Sequence, residues 1–201
     1  VRTWRELQGI PCIEFEDGFD AKQSICVSRS FSTEIYDCGE LREQIANFAS
    51  AVARKLRKQN SLTGEIAVFA YTNRFKEDQP QTHASFLVSF PSPTSEQREI
   101  VIAAASAVKE LFHEGYGYKK AGVIATRIMS RNDAVRSIFE DTEASEKEHR
   151  ITSALDAINR TYGEGTLKLA VQGSGKIRST SEKQSPHYTT KWNDIPKVSI
   201  K

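Results

Sequence analysis

The residues able to do chemistry in this chain are mostly spaced so that they share no task. His83, His113, His149 and His187 have no ligand spacing and read as surface residues. Cys12, Cys26 and Cys38 are odd in number and far apart, without a Cys-x-x-Cys pair. That excludes a zinc knuckle or redox motif and predicts three free thiols in a reducing cytosol. Gly173-Ser174-Gly175-Lys176 is a fragment of a phosphate loop, but Ala170 and Ile177 stand where a P-loop needs Gly and Ser or Thr. There is no Gly-x-Ser-x-Gly elbow, and no strand-end pair of carboxylates suited to two metals. The sequence therefore predicts no active site. Its chemistry is in cations: Arg29 near the end of a first strand, and Lys119 and Lys120 opening a last one. Side by side, these three would track one phosphate backbone.

The elements that must position them follow from periodicity. Ile25, Val27 and Phe31 at even spacing predict a strand from Ser24. Asp37 to Glu40 has the form of a capping box. After it, Leu41, Ile45, Phe48, Val52 and Leu56 make one apolar stripe on a helix, which closes in Arg54, Lys55, Arg57 and Lys58, matching the negative end of its dipole. Residues 65–72 read as a buried strand. Ala84, Phe86, Val88 and Phe90 read as its hairpin partner, closed by Pro91 and Pro93. Thr94 to Gln97 is a second capping box, leading into a helix with Ile100, Ala104, Val108 and Leu111. Residues 121–128 form a fourth strand. The order β-α-β-β-α-β is the split βαβ, ferredoxin-like arrangement: an α+β fold whose four-stranded sheet carries two helices on one face and leaves the other open. Ser145 to Glu148 is a third capping box, starting a helix with Ile151, Leu155, Ile158 and Tyr162 that ends at Gly163. Residues 166–171 are a candidate short strand. The chain thus divides into a connector over 1–22, the sheet domain over 23–129, a linker over 130–144, and a small helical and irregular C-terminal appendage over 145–201.

Composition bounds the function. The 201 residues suit one domain plus a small appendage, with 38% apolar and 27% charged residues. Basic and acidic side chains, 28 against 26, nearly cancel, which excludes a polybasic arm and lowers the expectation of nucleic-acid binding. The balance is uneven, however: residues 165–201 carry seven basic and two acidic side chains. No run approaches the length of a membrane span. No signal pattern follows Val1, and a start without Met suggests a processed chain or a fragment.

Ordered motifs bring a resemblance. Residues 24–31 (SICVSRSF) and 116–123 (YGYKKAGV) resemble the first and last strands of the little finger of Y-family translesion polymerases. Arg2-Thr3, Glu6-Leu7, Gly9 and Pro11-Cys12 resemble the segment after the thumb in UmuC proteins. Residues 159–166 (NRTYGEGT) and 185–192 (SPHYTTKW) resemble the UmuC C-terminal region, with His187 in place of an Arg. Together these cover nearly the whole chain as the C-terminal part of a UmuC-like polymerase.

The resemblance implies that the sheet holds primer–template DNA by its phosphates in the major groove. Ser24, Ser28, Arg29, Ser30, Lys119 and Lys120 would be contacts, with Thr72 and Asn73 secondary. It implies that Val135-Arg136-Ser137-Ile138-Phe139 stands where the family carries a sliding-clamp motif, Gln-Leu-x-Leu-Phe. Ile138 and Phe139 keep the apolar anchors, while Val135 and Arg136 depart from it. It implies the cleaved UmuD dimer and RecA as partners, and Mg²⁺ in the parent polymerase with no cofactor in this part. The competing expectations are an independent ferredoxin-like enzyme or regulator with a small-ligand pocket on the open face, and a pure protein-interaction module using residues 131–201.

Overall fold

The apolar stripe read from the sequence becomes the spine of the molecule. In the computed structural model, which describes residues 1–12, 22–133, 142–173 and 185–196, helix α2 (Cys38–Lys58) buries Leu41, Ile45, Phe48, Val52 and Leu56 to 1% exposure or less. Its start is fixed as expected: the Asp37 carboxylate accepts from the Glu40 backbone N–H at 2.7 Å. Lys55, Arg57 and Lys58 lie in its last turn.

Four strands form the sheet, β1 (Ile25–Ile35), β2 (Ser61–Thr72), β3 (His83–Thr94) and β4 (Tyr118–Ser130), and this helix packs on β1, β4 and β2. They lie in the order β1-β4-β2-β3, antiparallel throughout. β1 and β2 thus run parallel with β4 between them, joined by α2. β3 and β4 run parallel with β2 between them, joined by α3 (Gln97–Leu111). This is the split arrangement, with β1 and β3 at the edges. Ile25, Ala125, Ile66 and Val88 share one row of the pleat, and Val27, Val123 and Val68 the next. These rows meet α2 and α3 in a single core, in which Phe31 stacks on Phe48 at 6.4 Å.

Several boundaries differ from the sequence reading. The connector begins with a short helix, α1 (Arg2–Leu7), which buries nothing. β3 runs through Pro91 and Pro93 to Thr94. It is an edge strand, and its pairing with β2 shifts between Thr63 and Glu65, so the missing N–H groups cost no ladder bond. Thr94 caps no helix: its hydroxyl accepts from the Glu96 N–H at 3.0 Å, and Glu96 is the N-cap of α3 without a side-chain bond. α4 (Thr142–Tyr162) starts ahead of Ser145, so the third capping box lies inside the helix. Residues 166–171 form no strand. They end in a short 3-10 turn (Ala170–Gln172) on α2, away from any free sheet edge. No helix among the described residues is long and apolar enough to cross a membrane.

The C-terminal part docks on the helical side. Arg57 grips Asp156 of α4 with two bonds, 2.6 and 2.7 Å, and reaches the Ser95 carbonyl at 2.9 Å. The Asn47 amide donates to the Gln172 carbonyl at 3.0 Å, and the Gln172 amide donates back to Asn47 Oδ1 at 3.2 Å. Both residues are buried and paired, as buried amides must be.

Candidate nucleic-acid interface

No described element covers the second face of the sheet, and the register lists what it carries. One row reads Ser30, Lys120, Tyr71, His83; the next Ser28, Gly122, Phe69, Ser85; the third Cys26, Ile124, Ala67, Leu87. Ser30 and Lys120 stand directly opposite, with Cβ atoms about 5 Å apart. Lys120 has no hydrogen bond or ion pair to another described residue, so its ammonium is available. Ser24, just ahead of β1, is exposed, as is Ser30; Ser28 is half-buried.

Lys119 is positioned by a bulge. Adjacent Tyr71 and Thr72 of β2 pair with Lys120 and Tyr118 of β4, leaving Lys119 as the extra residue. The bulge reverses the alternation. Tyr118 enters the core, where its hydroxyl donates to the Leu111 carbonyl at 2.8 Å and accepts from the His113 N–H at 2.9 Å. Burial raises the Tyr118 pKa above the ordinary phenol value. Lys119 is turned across β1, donating to the Ser32 carbonyl at 3.2 Å.

The other expected contacts are placed differently. Arg29 pairs with Ala121, a core residue, so by parity it belongs to the helix-covered side of edge strand β1, apart from the serines; its guanidinium donates to the Ser28 carbonyl at 3.3 Å. It reaches a phosphate only around that edge. Thr72 and Asn73 hold the β2–β3 turn. The Thr72 hydroxyl accepts from the Thr82 N–H at 2.9 Å, and Asn73 Oδ1 accepts from the Phe75 N–H at 3.2 Å. Residues 135–139, with the clamp-like motif, lie outside the described residues.

Three features of the face escaped the sequence reading. Phe69, Tyr71 and His83 stack in succession, with centroids 4.9 and 3.8 Å apart. Phe69 lies across Gly122, where a Cβ would come within 2.6 Å of its ring. Glu65, toward the opposite end from Lys120, accepts from Thr126 at 3.0 Å and Ser89 at 3.3 Å. The face is thus cationic at one end and anionic at the other. Period-2 alternation in β2 and β3 signalled the face, but not which strands would be neighbours. Beside the cationic end, Glu34 accepts from Lys76 at 3.0 Å and from the Tyr36 hydroxyl at 3.0 Å. The bond from the Lys76 ammonium is the main cause holding the Glu34 carboxyl below its usual range.

Comparison with known proteins places this architecture. Residues 22–138 match the impB/mucB/samB family C-terminal domain. The chain belongs to that family. Protein UmuC of Salmonella typhimurium (strain LT2) is 34% identical over 98% of this chain and 47% of its own length. Protein ImpB of Salmonella typhimurium is 32% identical over 97% and 46%. The chain spans about half the length of the curated relatives it matches. The impB/mucB/samB pattern ends near the start of α4, and residues 149–198 match a domain of unknown function (DUF4113). A solved complex of the beta-clamp processivity factor and the little finger domain of PolIV aligns at a TM-score of 0.41 and 15% identity, covering 58% of this chain and 99% of that one.

Proposed function

We propose that this chain is the DNA-gripping little-finger part of an error-prone translesion DNA polymerase acting in the SOS response to DNA damage. The observation that carries the reading is the row in which Lys120 faces Ser30 on an open sheet, in a chain of the impB/mucB/samB family. Cations and short hydroxyls on a flat face suit backbone phosphates, and a lesion-tolerant enzyme gains from holding phosphates, because damaged bases present altered edges. Ser24, Ser28, Ser30, Lys119 and Lys120 contact the primer–template on this face. Arg29 approaches from the β1 edge, and Thr72 and Asn73 keep the adjoining turn in shape. In domain terms, 23–129 grips DNA, 1–22 leads in from the thumb, 130–144 links, and 145–201 is the small UmuC-type C-terminal region.

Nucleotide addition belongs to the parent polymerase with its Mg²⁺. Among the described residues of this chain no three His, Cys, Asp or Glu side chains are grouped to hold a metal, so no step is assigned to one here. Val135, Arg136, Ser137, Ile138 and Phe139 are proposed to meet the sliding clamp through Ile138 and Phe139. The cleaved UmuD dimer and RecA are the further partners the family resemblance supports; capture of neither by the full chain in a pull-down removes them.

The test is a salt titration of primer–template binding. Lys119→Ala with Lys120→Ala is expected to weaken binding across all sequences and to reduce the slope of log affinity against log salt by about 2. An unchanged slope rejects the phosphate face. Phe139→Ala is expected to abolish clamp pull-down, and persistence of the complex rejects the motif.

A further inference from the structure

The helical side carries a second concentration of charge that the sheet face does not use. Where α4 crosses the C-terminal end of α2, a cavity of about 400 Å³ opens beside the turn after β4 (Arg131–Asp133). At its floor Arg57 is fully committed to Asp156, Ser95 and Gln97. Arg131 and Arg160 stand around that floor with Asn60 and Ser153. Arg131 is fixed by one bond, Nη2 donating to Ser95 Oγ at 2.7 Å. Arg160 is exposed and has no partner among the described residues. His149 lies at the rim, 3.3 Å from Glu96. Among the described residues the lining holds three guanidinium groups against one carboxylate, already shared by Arg57, with the Glu96 carboxylate at the rim beside His149. Such a groove, with net positive charge among the described residues of its lining, draws anions.

We propose that this cavity is an oxyanion site that binds one phosphoryl group of nucleotide size. Arg131 enters the lining from the β4 side and Arg160 from α4, so an oxyanion between them has a guanidinium donor from each element, and a tetrahedral phosphate has more acceptor oxygens for the two than a carboxylate has. Asn60 and Ser153 add neutral donors. Ala157 is the one apolar residue of the lining, and the volume sits at the small end of ligand sites. Asn60 precedes β2 and Arg131 follows β4, so the site lies at the opposite end of β4 from Lys119 and Lys120 and stands independently of the DNA-gripping reading. A bound phosphate bridges the sheet domain and α4, and so strengthens the seam between them. A free nucleotide and a phosphate of a nucleic-acid strand share this chemistry.

The experiment uses the full 201-residue chain with a deoxynucleoside monophosphate, a ten-nucleotide single strand and a polyglutamate peptide, followed by thermal shift and calorimetry. A rise in Tm with the phosphate probes is expected. Arg160→Glu should keep the ligand-free Tm, since the residue is exposed, and lose at least about tenfold in phosphate affinity. Arg131→Gln should act in the same direction, and Lys119→Ala with Lys120→Ala should leave mononucleotide affinity unchanged. Equal affinity for mononucleotide and strand assigns a free nucleotide; tighter strand binding that Arg160→Glu removes assigns a strand phosphate. No Tm rise with either probe, undiminished affinity in Arg160→Glu, or polyglutamate binding as tightly as the nucleotide overturns the proposal.

Discussion

Lys119 and Lys120 are neighbours in the chain with different surroundings. Lys120 is uncommitted beside Ser30, whereas Lys119 is tied to the Ser32 carbonyl. Of the two, Lys120 should account for more of the salt slope. Glu34 gives the residue scale a pH signature. Its folded pKa lies below its ordinary value of 4.5, chiefly through the Lys76 bond, so its contribution to stability is present above that value and is lost as pH falls through the folded pKa. Glu34→Gln is expected to lower Tm relative to the natural chain at pH 7, with the gap closing on acidification below about pH 4. Thermal melts at several pH values check this, and a gap independent of pH would show that the charge contributes nothing.

Elements were legible where a single local signal sufficed. The stripe and cap of α2 were read correctly because spacing and an Asp at the N-cap act within one helix turn. The starts of α3 and α4 were misplaced because Thr94 is held by the sheet and α4 extends past its serine. Strand identity was legible, but register was not. Gly122 shows why: its missing side chain matters only because Phe69 of β2 and Ser28 of β1 close over it from both sides. Gly122→Ala would bring a Cβ within 2.8 Å of the Val27 carbonyl, and is expected to destabilise by about 2 kcal/mol in denaturant unfolding. Natural stability in that variant would mean that the Phe69 ring moves aside freely.

At the scale of the whole molecule, the family's C-terminal domain pattern and the domain of unknown function meet across α2. The part-buried Arg57 guanidinium and the buried Asn47–Gln172 pair join them on the side away from the open face. On the proposed reading, DNA on the open face and α4 therefore occupy different surfaces. Arg57→Ala removes the clasp and leaves the part-exposed Asp156 without its partner; a loss of about 2 kcal/mol is expected. Hydrogen exchange should speed first along α4. Exchange rising evenly over the sheet instead would mean that Arg57 supports the core and not the seam.

By itself the sequence determined the element order, the covering of one sheet face by two helices, and the cationic character of residues 119–120, because each follows from local periodicity or residue type. It also carried the family, through motifs spread along the chain in order. Tertiary structure decided the rest. The pairing of β1 with β4, the bulge that sends Tyr118 inward, the parity that separates Arg29 from the serines, and the meeting of Arg57, Arg131 and Arg160 all depend on which distant segments become neighbours. That choice is made by the shared burial of a core drawn from β1, β2, β4 and two helices, with β3 packed against it, and no spacing within one segment encodes it.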